Sequence, residues 1–361
     1  MTLESYLQAA PKAELHVHLE GTIQPETVRA LARRNQIELP IEQERELGRV
    51  LNYRDFRHFV DTFMIGIRCL KTQEDYEQIV YDFGATMARQ QIRYAEVTVT
   101  PSTHYLLGIP FDTFFSGMQQ GRSRAYADFG VRINWIFDIV RQWLDPTRTK
   151  PMADYATSVA IEAKDDGVVA LGLAGSEAGA PPEPFAPWFE RARASGLHSA
   201  PHAGEMAGAD SIWGALTVLG AERIAHGVRS VEDPTLVDYL VQHAIPLDIT
   251  PTSNIILGVY PSYKAHPLPQ LYAAGATITI STDDPPLFNV TMNQEVQYLS
   301  THFALGASAI DEILLNGIRY SFLPEMQRQE LEMAFWSELA ALKVQHLVDQ
   351  SAAFSTAAEA E

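Results

Sequence analysis

The sequence predicts an α/β fold, a closed (β/α)8 barrel with extra helices, because short apolar runs alternate with longer amphipathic stretches along most of the chain. The amphipathic stretches, such as Tyr76–Gln90, Phe185–Ser195 and Pro234–His243, have the apolar spacing of helices. Eight runs have the composition and length of strands: Ala13–Leu19, Tyr94–Val99, Val131–Ile139, Val168–Leu173, Ser199–Ala203, Arg223–His226, Pro246–Ile249 and Thr277–Ser281. Strand and helix alternating in this way are typical of a parallel barrel.

Glycines and the chain length support one domain. Gly167 and Gly275 stand just before predicted strands, where a glycine commonly ends the preceding helix. Beyond the last strand, Ser308–Gln345 has the pattern of further helix, and the small, polar residues 351–361 predict a frayed tail. Neither a linker nor an internal repeat interrupts the pattern. We therefore expect a single barrel domain over residues 1–350, a length that such barrels reach.

Composition excludes several classes of function. The formal net charge of -18 argues against a nucleic-acid or anionic-membrane partner, since both need a basic face. Cys69 is the only cysteine, which excludes an internal disulfide and fits a reducing compartment. The N-terminus lacks the apolar region of a signal peptide, and no run of about 18 apolar residues could span a membrane. We expect a cytoplasmic protein, and nothing in the sequence indicates its oligomeric state.

Four residues at the ends of predicted strands have the chemistry of a metal site. His16 and His18 are two residues apart on a strand, so their side chains point to the same face. His202 and Asp283 follow later strands, whose carboxyl ends meet at the same rim of a barrel. A mixed set of imidazole and carboxylate ligands suits zinc with one position open for a water, an arrangement typical of hydrolases.

One metal ion is a better prediction than two. Binuclear metal hydrolases built on such barrels often bridge their two ions with a carbamylated lysine on the fourth strand. The fourth predicted strand, Val168–Leu173, contains no lysine, and Lys164 precedes it.

Further ionisable residues follow the same strand ends. Glu205 lies three residues after His202, where it could donate a proton or merely favour a helix N-terminus. His226 could bind the metal, orient and deprotonate a water, or be an ordinary core histidine. Asp284 could accept a hydrogen bond from a substrate or cap the next turn.

Six strings together resemble the adenosine deaminase family of the amidohydrolase superfamily, in order and over most of the chain. They are Lys12–Thr22, Leu173–Glu177, His202–Glu205, His226–Gly227, Pro251–Asn254 and Ser281–Pro285. The resemblance implies a distorted (β/α)8 barrel of the TIM type that binds one zinc ion per subunit. It implies hydrolytic deamination of a 6-aminopurine, with water adding at C6 and ammonia leaving.

The resemblance also implies a role for each site residue. The metal ligands would be His16, His18, His202 and Asp283. The catalytic residues would be Glu205, which protonates purine N1, and His226, which activates the water. The substrate-binding residues would be Glu20, His18, Gly175, whose N–H faces N3, and Asp284, which faces N7.

Two departures from the family pattern concern the substrate and the packing. Glu20 stands where an aspartate commonly contacts the ribose 5′-hydroxyl, which resembles adenine deaminases and enzymes of modified nucleosides. The segment Leu173–Gly175 resembles the nucleoside type instead. Thr250 precedes Pro251 where cysteine is usual, a change we expect to affect packing only.

The sequence thus predicts a zinc-dependent deaminase of adenosine or a 5′-modified adenosine. Aminodeoxyfutalosine deaminase of menaquinone biosynthesis and adenine deaminase are alternatives, and a catalytically inactive purine-binding protein is an alternative of another class. A helically spaced aromatic segment, Phe56, Phe59, Phe63 and Met64, predicts either core packing or a lid over the substrate.

Overall fold

The computed structural model describes residues 2–39, 53–141 and 146–347, and its strands agree with an α/β barrel. The strands are β1 (Lys12–His18), β2 (Ile92–Val99), β3 (Arg132–Val140), β4 (Val168–Ala174), β5 (His198–Ser199), β6 (His202–Ala203), β7 (Ile224–His226), β8 (Leu247–Ile249) and β9 (Ile278–Ile280). Every pair of neighbouring strands within the two sheets is parallel. The predicted tail, 351–361, lies outside the described residues.

Helices connect the strands and surround them. In the described residues they are Leu3–Ala9, Pro25–Arg34, Phe56–Arg68, Gln73–Arg89, Pro101–Leu106, Phe111–Phe129, Pro146–Glu162, Ala186–Ala194, Ala209–Thr217, Pro234–Gln242, Pro251–Ile256, Leu268–Ala273, Pro285–Phe288, Met292–Thr301, Ala307–Arg319 and Glu325–Leu347. Side-chain N-caps begin several of these helices. Asp55 accepts the N–H of His58 at the start of Phe56–Arg68, and Thr72 forms a capping box with Asp75 at the start of Gln73–Arg89. None of these described helices is both long enough and apolar enough to cross a bilayer.

The predicted fifth strand, Ser199–Ala203, is wrong in one respect, because the structure divides it into β5 and β6. Pro201 lies between the two pieces and has no N–H to donate to a ladder, so the strand is interrupted there. One sheet has the order β1-β2-β3-β4-β5, and the other has the order β6-β7-β8-β9.

Backbone hydrogen bonds join the two sheets into one barrel. At one seam the N–H of His18 donates to the carbonyl of Asp283 at 3.0 Å, and the N–H of Asp283 donates to the carbonyl of His16 at 3.1 Å. At the other seam the N–H of Glu222, two residues before β7, donates to the carbonyl of Ser199 on β5 at 2.9 Å. The first seam therefore holds a residue that follows β9 directly against the end of β1.

A buried ionic cluster fills the barrel on the side away from the strand ends. The Arg223 guanidinium lies 2.5 Å from a carboxylate oxygen of Glu96 and 2.5 Å from one of Asp248. All three side chains are almost completely buried. Their charges are thus paired in the interior, where an unpaired charge would be very costly.

Candidate active site

The ends of the strands bring together the histidines and the aspartate that the sequence singled out. His16 and His18 lie on β1, His202 begins β6, His226 ends β7, and Asp283 lies three residues beyond β9. The Nε2 atom of His202 is 3.0 Å from Nε2 of His16 and 3.2 Å from Nε2 of His18. An oxygen of Asp283 is 3.4 Å from Nε2 of His18 and 3.7 Å from Nε2 of His16.

This arrangement fits a cation better than a hydrogen-bond network. Burial lowers the pKa of His16 to about 4. Burial also lowers the pKa of His202 well below its usual range, and the neighbouring His16, His18 and His226 lower it further. The rings are therefore neutral near pH 7, with lone pairs available to a metal. The nitrogens of His16, His18 and His202 form one group that could hold an ion, and His16, His226 and Asp283 form a second, overlapping group. Imidazole nitrogens with a carboxylate oxygen beside them match the ligand chemistry of zinc.

Neighbouring groups orient two of these four side chains. The Nδ1–H of His16 faces the carbonyl of Asp248 at 3.2 Å, which leaves the Nε2 lone pair directed at the cluster. The Ser253 hydroxyl donates to the second carboxylate oxygen of Asp283 at 2.7 Å. The backbone of Asp283 has φ +66°, and that of His226 has φ +67°. Such conformations are uncommon for residues other than glycine and occur often at functional sites.

Glu177 holds the loop that carries Glu205. Its carboxylate accepts the backbone N–H groups of four consecutive residues at 2.7–3.0 Å, and the Ser211 hydroxyl at 2.6 Å. The four residues are Gly204, Glu205, Met206 and Ala207. The sequence identified Glu177 only as part of a matching string, because its partners follow a different strand.

We expect Glu177→Gln to destabilise the fold and slow turnover, because the amide NH2 would face N–H donors. Hydrogen bonds to a charged acceptor contribute about 1.5–3 kcal/mol each, so the free energy of unfolding should fall by at least ~2 kcal/mol. Urea denaturation and steady-state kinetics would measure both effects. Ser211→Ala is the matched control, since it removes one of the five bonds and should cost ~1 kcal/mol. Equal stability of Glu177→Gln and wild type would contradict this role.

Burial favours the protonated form of Glu205. Burial raises the pKa of Glu205 well above its usual range, and the nearby charges of Asp283 and Glu177 raise it further, against a smaller opposite effect of Arg141. One of its oxygens lies 3.7 Å from Nε2 of His226. A carboxyl that keeps its proton near pH 7 can donate that proton to a bound ligand.

A chain of hydrogen bonds determines which nitrogen of His226 accepts. The backbone N–H of Leu268 donates to Nδ1 of His266 at 3.2 Å, so the proton of that neutral ring is on Nε2. Burial lowers the pKa of His266 to about 3, which keeps the ring neutral. Its Nε2–H donates to the Asn254 carbonyl oxygen at 3.0 Å. The Asn254 amide then donates to Nδ1 of His226 at 3.3 Å, and the Thr250 hydroxyl lies 3.0 Å from the same atom.

Asp284 and Gly175 line the same cavity as the histidines. One oxygen of Asp284 is buried and has no hydrogen-bond partner in the described residues. Burial raises its pKa well above the usual range, and the adjacent Asp283 adds to the shift. A Cβ at Gly21 would lie 1.7 Å from Asp284, so a larger residue there would displace this carboxyl.

Glu20 is buried and anchored on one side only. Its Oε1 atom accepts from Nε2 of His104 at 2.9 Å and from the N–H of Thr100 at 3.2 Å. Its Oε2 atom has no partner in the described part of the chain. Burial is the largest single effect and would raise the pKa of Glu20, but the hydrogen bond and charge of His104 together with backbone hydrogen bonds, including that of Thr100, lower it. The sequence did not identify His104, since nothing near it in the chain indicates its partner.

The aromatic segment packs and also covers the cavity. Phe59 is buried and stacks on Phe288 with ring centroids 5.4 Å apart. Phe56, Phe63 and Met64 line the cavity together with the histidines. Core packing is thus confirmed for Phe59, while a lid over the substrate stays a prediction.

Sequence reasoning missed two further buried residues at this end of the barrel. The Arg141 guanidinium donates to the backbone carbonyls of His202 and Ala180, which fixes the start of β6. Asp138 lies on β3 and lines the cavity. Neither residue belongs to a recognisable string, and only the barrel brings them to the site.

We expect Glu295→Gln to make stability less dependent on pH. Burial raises the pKa of Glu295 from 4.5 to about 8, against hydrogen bonds from Thr252 that lower it. Because the folded pKa is the higher one, the stabilisation is complete below about pH 4.5 and is lost as the pH rises towards 8. The free energy of unfolding of wild type should therefore fall by at least ~1 kcal/mol between pH 5 and pH 8, beyond the change in the variant. Parallel slopes in denaturation experiments would contradict the expectation.

Comparisons with known proteins agree with this geometry. Residues 11–335 match the family model described as adenosine deaminase. The chain is 37% identical over 322 residues to aminodeoxyfutalosine deaminase of Streptomyces coelicolor, covering 89% of this chain and 82% of that protein. It is 35% identical over 339 residues to adenine deaminase of Cupriavidus necator, covering 93% and 95%.

A solved structure extends the likeness to the fold. The crystal structure of adenine deaminase from Arthrobacter aurescens superposes with a TM-score of 0.84 and 31% identity, over 92% of this chain and 99% of that one. The family match, these relatives and this structure agree with one another. The chain therefore belongs to the adenosine deaminase family of the amidohydrolase superfamily, and it is a hydrolase that acts on C–N bonds of cyclic amidines.

Proposed function

We propose that this protein is a zinc-dependent deaminase of 6-aminopurine nucleosides, which converts adenosine or a 5′-modified adenosine to the 6-oxopurine and ammonia. The observation that carries the proposal is the convergence of three imidazoles and Asp283 beside the buried carboxyl of Glu205, whose pKa is raised well above its usual range. A metal ligand set and a proton donor at one point of a cavity are what hydrolytic removal of a ring amine requires.

Four residues would hold the ion: His16, His18 and His202, which form one group, and Asp283, which lies beside His16 and His18. The mutual distances of their ligand atoms, and the lowered pKa values of the imidazoles, support this set. When bound, zinc would lower the pKa of a water and so make a nucleophile available at neutral pH. Zinc rather than iron or manganese is our choice because the set is rich in imidazole.

The remaining residues would position the purine and move protons. Glu205 donates its proton to N1, which makes C6 more electrophilic. His226 hydrogen-bonds the attacking water, and Asp284 faces N7 through its unpartnered oxygen. Gly175 has φ +87° and lines the cavity, which supports its backbone N–H as the partner of N3.

The nature of the 5′ group is the finer part of the proposal. Aminodeoxyfutalosine deaminase is a relative at 37% identity, and adenine deaminase is one at 35%. Glu20 keeps a free, buried oxygen, so a polar group at C5′ could hydrogen-bond there. We therefore keep aminodeoxyfutalosine beside adenosine as a substrate, with adenine as the alternative that lacks a sugar.

A single experiment tests the proposal. Purified protein with measured metal content is assayed with adenosine, aminodeoxyfutalosine and adenine, following the ultraviolet change as the 6-amino group is lost. We expect about one zinc ion per chain and deamination of at least one nucleoside. Protein that binds zinc but deaminates none of the three would contradict the proposed reaction. Activity on adenine alone would contradict the proposed substrate class.

A further inference from the structure

Asp138 is a completely buried carboxyl group that makes no well-formed hydrogen bond within the described residues, although the Thr100 hydroxyl is near enough to lower its pKa slightly. Its exposed fraction is 0%, and within the described residues neither of its oxygens has a donor. It lines the cavity that also contains His18 and Glu205. Buried polar side chains are nearly always hydrogen-bonded, so an unsatisfied pair of oxygens in a binding cavity indicates that the ligand supplies the donors.

The residues around Asp138 do not offset the cost of burying its negative charge. Burial raises the pKa of Asp138 well above its usual range, the Thr100 hydroxyl has a smaller opposite effect, and the charge of Glu20 raises the pKa again. Among the described residues no basic side chain contributes to the pKa of Asp138 by stabilising its ionised form. A neutral ligand with hydrogen-bond donors suits such a position, since it pairs both oxygens without adding a charge.

The order of the strands indicates which part of a purine would reach Asp138. Under the proposed function, Glu205 after β6 faces N1, Gly175 after β4 faces N3, and Asp284 after β9 faces N7. The arc of the barrel mouth that remains is formed by β1, β2 and β3. N9 lies opposite the reacting C6 and therefore faces this arc. Asp138 is near the end of β3, and Thr100 follows β2 directly.

We propose that Asp138 binds the sugar hydroxyls of the nucleoside and makes the protein selective for nucleosides over the free base. This inference rests on the proposed function. The two oxygens of Asp138 can accept two neighbouring hydroxyls, as the 2′,3′-diol of a ribose offers, and these hydrogen bonds would favour the ionised form that burial disfavours. The free base offers only one ring N–H at this edge. The diol is common to adenosine and its 5′-modified derivatives. Asp138 would therefore favour both of these substrates over adenine.

The test compares wild type with Asp138→Asn on adenosine, 2′-deoxyadenosine, 3′-deoxyadenosine and adenine. A hydrogen bond to a carboxylate is worth roughly tenfold or more in kcat/KM, so the variant should lose at least about tenfold on adenosine. Its loss on adenine should be less than about threefold. The substitution should lower kcat/KM less for each deoxynucleoside than for adenosine, because each deoxynucleoside already lacks one of the two hydroxyls that Asp138 would bind.

A matched variant separates binding from folding. Asp75 is also completely buried, but it accepts hydrogen bonds from Arg34, Asn35 and the backbone outside the cavity. Asp75→Asn should lower Tm and keep the adenosine-to-adenine ratio of wild type. Asp138→Asn should roughly keep Tm, since it replaces one unpaired buried polar group with another of the same size, and should reduce the ratio.

Two results would overturn the inference. An active Asp138→Asn protein with the wild-type adenosine-to-adenine ratio would show that Asp138 does not contact the sugar, while the proposed function would stand. Wild type that deaminates neither adenosine nor its 5′-modified derivative would overturn the proposed function and this inference together.

Discussion

Replacing Glu205 by glutamine should leave a folded protein that binds substrate and hardly turns it over. The amide keeps the shape of the carboxyl but has no acidic proton, and general acid catalysis contributes about 10²- to 10⁴-fold. We expect kcat to fall by about that factor while KM changes little. Steady-state kinetics on the best nucleoside substrate, with Tm as the measure of folding, would give both values.

Glu232→Gln is the control for this substitution. Glu232 is exposed and pairs with Arg229, which donates to the carbonyl of Met206 in the same loop. Its loss should leave kcat within about twofold of wild type. A Glu205→Gln protein with kcat within tenfold of wild type would mean that another group protonates the substrate.

Removing the metal should abolish activity and lower Tm. Chelation, or His202→Ala, takes away the group that activates water, so we expect a loss of at least about a thousandfold. Because the ion binds the folded state only, it also stabilises the fold, by ~4 kcal/mol at a thousandfold excess over Kd. The metal content, Tm and deaminase activity should fall together. Added zinc should restore all three in chelated wild type.

His198→Ala is the matched control, four residues before His202 in the chain. His198 is half-exposed, pairs with Glu222 and stacks on Phe322. That variant should bind one zinc ion like wild type. Full activity after complete removal of the metal, verified by elemental analysis, would contradict a metal-dependent reaction.

The parts of the site that lie on strands could be predicted from the sequence. His16 and His18 have the two-residue spacing of a strand face, and a parallel barrel brings every strand end to one rim, so their proximity to His202 and Asp283 followed from the fold alone. The roles of these residues stay predictions until a metal is measured. Alternation of apolar runs likewise predicted the strands, apart from the interruption at Pro201.

Residues that act through distant partners could not be predicted in this way. Glu177 is separated by 27 residues from the nearest N–H that it accepts, and Asp138 makes no well-formed hydrogen bond in the described residues. Nothing local distinguishes either carboxylate from one on the surface. Their burial and their neighbours depend on how the barrel closes, which periodicity does not specify.

The chain of donors that begins at the N–H of Leu268 has a consequence for the chemistry of His226. Because Asn254 donates to Nδ1, the neutral ring keeps its hydrogen on Nε2 and turns that hydrogen towards the cavity. The Nε2–H of His226 can thus donate a hydrogen bond that stabilises a developing oxyanion. The same nitrogen has no free lone pair with which to accept a proton from water. A proton released when water attacks would therefore have to be accepted by a group other than His226.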